Sequence, residues 1–400
     1  MKRISLLYFL LAAGSIVLAQ AERKCGFDYV QQHISQHPDF NTYQINKQLA
    51  YKNVRHQKAD TVIRIPVVVH VIHRLAAENI STAQINSQIA VLNRDFRKLN
   101  ADTTNAAGWS IADVKFEFVL ATKDPSGNPS TGITRTATTI DNICDNSNQY
   151  ATLRPAWNPE RYLNIWVCDV GDFILGFAYP PNAPNISPAE DGVVIGHNYF
   201  GTVGSVQAPW NLGRTTTHEI GHYFDLLHLW GNDNNPSCNT DDGIADTPNQ
   251  ADEEYDCATR TSCGSLDQLS NFLQYVDDAC MGNFTVGQKN RMRMALYTQR
   301  DSLQFGDLLN LTSISEQNLF SKTLLYPNPN HGLFQIELTN VGGLNRFEIE
   351  VYNMAGKLVA VETKTNQSGL LINMETAANG VYFVRIINGE FSSTKKLIKH

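Results

Sequence analysis

Residues 217–228, THEIGHYFDLLH, gather three histidines and a glutamate in one largely apolar dozen, in a chain with only eleven histidines. Residues four apart on a helix lie about 40° apart around its axis, so His218 and His222 share a face with Glu219 beside them. A helix continued to His228 would carry that residue ~15 Å along the axis and off the face. His228 can join the other two only if the chain turns sharply in between. Such a turn wants a backbone that tolerates the left-handed region, as Gly, Asn or Asp does. Asp225 stands where the turn must fall. The pattern predicts a helix that stops, a bend at Asp225, and three imidazoles brought to one point.

Three imidazoles at one point make a zinc site with a fourth position open. The metal lowers the pKa of a water toward ~7 and polarises a carbonyl, while a neighbouring carboxylate takes the proton. On this reading Glu219 is the general base and later passes the proton to a leaving amine. Peptide hydrolysis is the reaction that suits the arrangement best. A second enzyme reading is a thermolysin-type site whose third ligand is Glu253 or Glu254. The non-enzyme alternative is a zinc-containing surface binding or adhesion protein that no longer cleaves.

The rest of the chain supports an exported protein. Lys2 and Arg3 precede an apolar run that ends at Ala19-Gln20-Ala21, the pattern of a secretory signal peptide over 1–21. The run is shorter than the ~20 residues a spanning helix needs, and no membrane span is expected in the mature protein. A net charge of -7 without a dense Lys/Arg block argues against nucleic acid as a partner. Export permits disulfides among the seven cysteines, of which Cys25 lies far from the others.

Four hundred residues imply two or more folded units. Residues 22–60 are polar and weakly patterned. TVIRIPVVVHVIHR, from Thr61, reads as a strand, and the segment from Ser81 as a helix with Ser81 as N-cap. VKFEFVLATKD, RYLNIWVCDV and GVVIGHNYF read as further strands, and TVGQKNRMRMALYTQRDSL as a helix. This order predicts an α/β (α+β) catalytic domain over 61–303. A linker over 304–322 and a small all-β sandwich over 323–400 follow, the latter from short alternating strands between Gly, Asn and Pro.

The segment His218–His228 resembles the long zinc-binding motif of the metzincin metallopeptidases, with Asp225 where that family has glycine. The trailing LWG, CNTDDGIADTPNQ and NFLQYVDDACMGNFTVGQ are similar to the pappalysin/cytophagalysin family in particular, over roughly Ile63 to Leu303. The resemblance implies a metzincin-like fold, zinc held by His218, His222 and His228, and Glu219 as catalytic base. The family's methionine under the zinc falls on Leu273, since Met281 lies too far along. Tyr275 matches a tyrosine near the metal whose hydroxyl stabilises an oxyanion. Members that cut before Arg or Lys carry an acid where Ala279 stands, so that preference is not carried over; Asp277 and Asp278 stay open as substitutes.

The same resemblance implies disulfides Cys238–Cys263 and Cys257–Cys280, and the remaining Cys144 and Cys168 are assigned as a third pair. Some members bind calcium in the acidic loop, where Asp242, Asp246 and Thr247 are the candidates. Cys25, in RKCG, looks like the cysteine switch of related proenzymes, a thiolate on the open zinc position of a latent precursor. Residues 22–60 would then be a pro-segment, removed by cleavage between about Tyr51 and Ile65. YPNPNHGLFQIEL, VYNMAGKLV, NGVYFVRI and KKLIK resemble the C-terminal sorting domain of the type IX secretion system. That implies contact with the secretion machinery, export across an outer membrane, and a secreted or cell-surface enzyme acting on proteins or peptides. A carbohydrate-binding or adhesive sandwich is the alternative for this domain.

Overall fold

The computed structural model describes residues 24–52, 60–145, 149–171, 174–231, 237–305, 324–337, 346–354, 357–365, 369–388 and 391–400. The expected signal peptide and nearly all of the expected linker lie outside these, as do residues 53–59 of the stretch where cleavage is expected. The chain divides into two compact units, one up to Asp307 and one from Leu308.

In the first unit the sheet is organised around β1 (Ile63–His73), whose residues from Ile65 to Ile72 are all buried. A run of β-branched side chains with no polar alternation suits a strand covered on both faces, as parallel sheets require. Along one side β1 pairs in parallel with β2 (Phe116–Leu120) and then β3 (Ile133–Ala137); along the other it pairs with β4 (Leu163–Cys168). β6 (Val193–Gly196) continues the parallel set, and β5 (Gly176–Ala178) closes that side as an antiparallel edge. β3 and β5 escape a reading by alternation, because β5 has only three residues and β3 is not clearly two-faced.

Helix α3 (Thr82–Asp95) starts where Ser81 Oγ accepts the Gln84 amide at 3.1 Å. Its buried glutamines then fasten the loop leading to the histidine helix α5 (Arg214–Tyr223). Gln84 Nε2 donates to the His197 and Phe200 carbonyls, and Gln88 Nε2 to the Gly213 carbonyl. Helix α6 (Val286–Gln299) opens on a reciprocal capping box of Thr285 and Gln288.

Residues 22–60, which carry no predicted element, hold two helices: α1 (Phe27–Ser35) and α2 (Phe40–Lys52). A five-residue helix, α4 (Gln149–Leu153), a hairpin, β7 (Thr261–Ser262) with β8 (Ser265–Leu266), and short 3-10 turns also belong to the unit. No helix of the described residues is long and apolar enough to cross a membrane.

The second unit is antiparallel β. One sheet orders β13 (Gly369–Asn373), β10 (Leu333–Glu337) and β9 (Leu324–Tyr326). The other orders β12 (Leu358–Thr365), β11 (Arg346–Asn353), β14 (Gly380–Asn388) and β15 (Phe391–Lys399). Phe334, Ile336 and Ile372 of the first sheet share one buried cluster with Ile349, Val351, Val384, Ile386 and Leu397 of the second, the packing of a sandwich.

Candidate metal centre and active site

Helix α5 stops at Tyr223, and Asp225 takes up φ of 73°, the left-handed turn that the spacing of the histidines demands. The turn returns His228 to the helix. The three Nε2 atoms converge, with His222 3.1 Å from both partners and His218 3.3 Å from His228. Each Nδ1 faces an oxygen: the Phe272 carbonyl at 2.8 Å from His218, the Leu226 carbonyl at 2.8 Å from His222, and Asp28 Oδ1 at 3.2 Å from His228. A proton on Nδ1 leaves Nε2 as a lone pair, and lone pairs do not hydrogen-bond to one another.

A cation at their meeting point resolves this. Nitrogens ~2.0–2.1 Å from one ion in tetrahedral array are about 3.4 Å apart, close to the spacings here. Burial and the neighbouring His228 push the His222 pKa well below its usual value, which keeps it a neutral ligand. Cys25 joins the three histidines in a buried group whose donor atoms all lie within 4.8 Å of one another. Glu253 and Glu254 are outside that group: Glu253 accepts the Tyr255 hydroxyl and Glu254 pairs with Arg260. The thermolysin-type ligand set is therefore set aside.

The site is braced from outside. Arg214, at the start of α5, pairs with buried Asp95 and with Asp102, and Thr217 Oγ1 donates to Asp95 at 2.7 Å. Asp278 Oδ2 accepts the Leu212 and Arg214 amides, so it caps the start of α5 instead of flooring a specificity pocket; Ala279 is exposed. Leu273 lies against Gly221, the residue before His222. A Cβ on Gly221 would come within 3.1 Å of it, so the glycine lets helix and turn touch. Asn271 holds that turn by accepting the Leu273 amide at 3.0 Å while exchanging hydrogen bonds with Gln288 of α6. The structure pairs Cys144 with Cys168, Cys238 with Cys263 and Cys257 with Cys280.

Glu219 is 1 % exposed and its Cγ lies 3.3 Å from where a Cβ on Gly176 of β5 would be, beside the sheet edge. Tyr275 packs on His228, with ring centroids 4.9 Å apart, and its hydroxyl donates to Asp28 Oδ2 at 2.9 Å. Residues 24–26 lie parallel to β5: Leu175 N donates to the Lys24 carbonyl and Gly26 N to the Gly176 carbonyl, each at 2.8 Å.

Beyond Cys25, sequence reasoning missed Phe27 and Asp28. Phe27 is stacked on His222 at 3.7 Å, and Asp28 bridges His228 and Tyr275. The one signal was local, an aromatic and an acid directly after the cysteine. Trp230 of the LWG segment is stacked on His228 at 4.6 Å, a contact its motif does not announce. In the acidic loop, Asp242 accepts Thr247 Oγ1 at 2.8 Å. Asp246 is turned to the start of α6, accepting from Thr285, Gly287 and Ser110. The two carboxylates serve different donors.

Residues 146–297 match the family described as pregnancy-associated plasma protein-A, and residues 324–400 match the secretion system C-terminal sorting domain. An extracellular metalloprotease of Arthroderma benhamiae is 30% identical over 298 residues, 72% of this chain and 94% of that protein. One from Sordaria macrospora is 28% identical over 295 residues, 70% and 90% of the two chains. Among solved structures, a mutant of Tannerella forsythia promirolysin is 38% identical with a TM-score of 0.65, over 72% of this chain and 99% of that one. Mature mirolysin of the same organism in complex with a cleaved peptide is 42% identical with a TM-score of 0.58, over 63% and 99%.

Proposed function

The chain belongs to the pregnancy-associated plasma protein-A (pappalysin) family of metalloproteases and carries a secretion-system sorting domain, and from that premise we propose how its own residues act. Residues 61–303 are the catalytic domain of a secreted or cell-surface endopeptidase, and His218, His222 and His228 hold its zinc. Bound there, zinc supplies a Lewis acid that polarises the scissile carbonyl and lowers the pKa of water toward ~7. Glu219, next to the first histidine and at the β5 edge, takes the proton from the attacking water and gives it to the leaving amine. The Tyr275 hydroxyl, packed against His228, donates to the oxyanion once Asp28 has left it. The observation that carries this reading is the convergence of three Nε2 atoms, with the Nδ1 of His218 and of His222 each held on a carbonyl and that of His228 beside Asp28. The catalytically silent alternative is not favoured, since the relatives are metalloproteases.

Residues 22–60 act as the pro-segment of a latent precursor. Support comes from Cys25 at the histidine cluster, Phe27 on His222, and Asp28 on the Tyr275 hydroxyl. Burial pushes the Cys25 thiol well above its usual pKa, and the charges of Glu219 and Asp28 add to the effect. Only a cation in the centre makes it a thiolate ligand. The C-terminal unit engages the type IX secretion machinery. For calcium the support is narrower. Burial pushes the Asp242 carboxyl up to about 7 despite the hydrogen bond from Thr247, and a divalent ion there would restore its charge.

Zinc content tests the ligand set. The dialysed full-length precursor is expected to keep about one zinc per chain, as is Glu253→Ala. His228→Ala is expected to lose most of it. Undiminished zinc in folded His228→Ala, with loss in Glu253→Ala, would sink the assignment.

A further inference from the structure

Glycine would serve the bend between His222 and His228 with less strain than Asp225 does. The carboxylate is therefore not needed for the turn, yet it is almost wholly buried, with 1 % of its side chain exposed. Its partners say what it does. Lys47 Nζ lies 2.5 Å from Oδ1, and the Tyr51 hydroxyl donates a short hydrogen bond to Oδ2. Arg291 of α6, 3.4 Å from Oδ2, is the one catalytic-unit side chain among these contacts, and its guanidinium also lies over the Tyr51 ring at 5.5 Å.

Tyr43, Lys47 and Tyr51 follow one another at intervals of four, one face of α2, and the Lys47 ammonium lies 5.9 Å from the Tyr43 ring. An aromatic–cation–aromatic row thus meets a buried acid at the bend of the metal loop. We propose that Asp225, with Arg291, is a docking site for helix α2, a second attachment of the N-terminal arm besides the one at Cys25. The inference rests on the reading of residues 22–60 as a pro-segment and goes beyond it. The arm is bound at both ends, by residues 25–28 at the metal centre and by Lys47 and Tyr51 at the bend. Two linked attachments hold far better than either alone, because while one stays closed the other re-forms at high effective concentration. A cut within 53–59 severs the chain but breaks neither attachment, so the cut arm stays on the enzyme until α2 is pulled off or digested.

The test follows the Cys25 thiol in the intact, zinc-loaded full-length precursor, made inert by Glu219→Ala so that it does not digest itself. The thiol reacts with a chromogenic disulfide reagent only when the arm opens, so the rate reports the opening equilibrium. Lys47→Met and Tyr51→Phe leave the catalytic unit untouched, and methionine keeps the helix propensity of lysine. Each is expected to speed labelling about tenfold or more, the worth of one charge-assisted hydrogen bond to a buried acid. Asp225→Asn is expected to do the same, with little further gain when Lys47→Met is added to it. A slow wild type with equally slow Lys47→Met and Tyr51→Phe would overturn the docking site and leave the cysteine plug standing. A wild type that labels as fast as the urea-unfolded chain would overturn both.

Discussion

Arg300 makes four hydrogen bonds from one buried guanidinium, and its loss is calculable. Nη1 and Nη2 form a fork on Asp191 at 2.8 Å each, Nη2 also reaches the Tyr179 carbonyl at 3.2 Å, and Nε reaches the Tyr223 carbonyl at 3.1 Å. The last of these is the end of α5, directly before the bend, so Arg300 fixes where the metal loop turns. The guanidinium also lies on the Tyr223 ring at 3.5 Å. Arg300→Ala strands a carboxylate that is 21 % exposed, together with two carbonyls. Breaking a buried pair by removing one partner costs about 3–5 kcal/mol. In a unit of this size each kcal/mol shifts the melting temperature by about 2–4 °C, which gives a fall on the order of 10 °C. Arg300→Lys keeps the charge without the fork and is expected to lose roughly half as much. The assay is thermal unfolding of the full-length Glu219→Ala protein, with and without chelator. An Arg300→Ala protein that melts within 2 °C of its parent would refute the claim that this residue holds the bend.

Two further outcomes follow from local geometry and charge. A Cβ on Gly26 would come within 2.9 Å of Phe177 Cβ and 3.3 Å of the Gly176 carbonyl. Gly26→Ala is therefore expected to weaken the arm by about 1–3 kcal/mol and to raise the peptidase activity of the uncut precursor by about five- to 140-fold. A fluorogenic peptide measures this while a gel certifies that the chain is uncut; unchanged activity would count against the contact. His70 is buried between Asn164 and Thr134, and burial pushes its pKa down to about 3 despite the hydrogen bond to Asn164. The unfolded chain, with an ordinary histidine pKa of about 6.5, then binds more protons than the folded one between pH 3 and 6.5. Stability is full above pH 6.5 and lost as the pH falls, by about 2 kcal/mol at pH 5 from this group alone. Urea unfolding of His70→Gln is expected to lose that share of the difference between pH 7 and pH 5; an identical slope would contradict it.

What could be read from the sequence was what short-range geometry fixes. The histidine spacing demands a bend, and Asp225 stands at it in a left-handed conformation. Ser81 announces its helix by capping chemistry and the apolar spacing that follows it, and β1 announces itself by an unbroken apolar run. What could not be read depends on distant partners. Helix α2 is polar along most of its length, and the face carrying Tyr43, Lys47 and Tyr51 acquires meaning only against Asp225, some 170 residues away. Asp28 and Phe27 sit beside a cysteine that was noticed, but their targets, Tyr275 and His222, are known only from the fold. Asp278 is a pocket candidate by position alone; its commitment to the amides that open α5 is a long-range contact with no local signature.

The central claim is that this centre cleaves peptide bonds with Glu219 as its base. Its most direct test is cleavage-site profiling with a mixed peptide library. The proteolytically activated full-length protein is compared with its Glu219→Ala variant, each loaded with zinc. The account predicts internal cuts that vanish in the variant, and the residues after each cut report what Ala279 does to specificity. A folded, zinc-loaded, activated protein that makes no Glu219-dependent cut would contradict it.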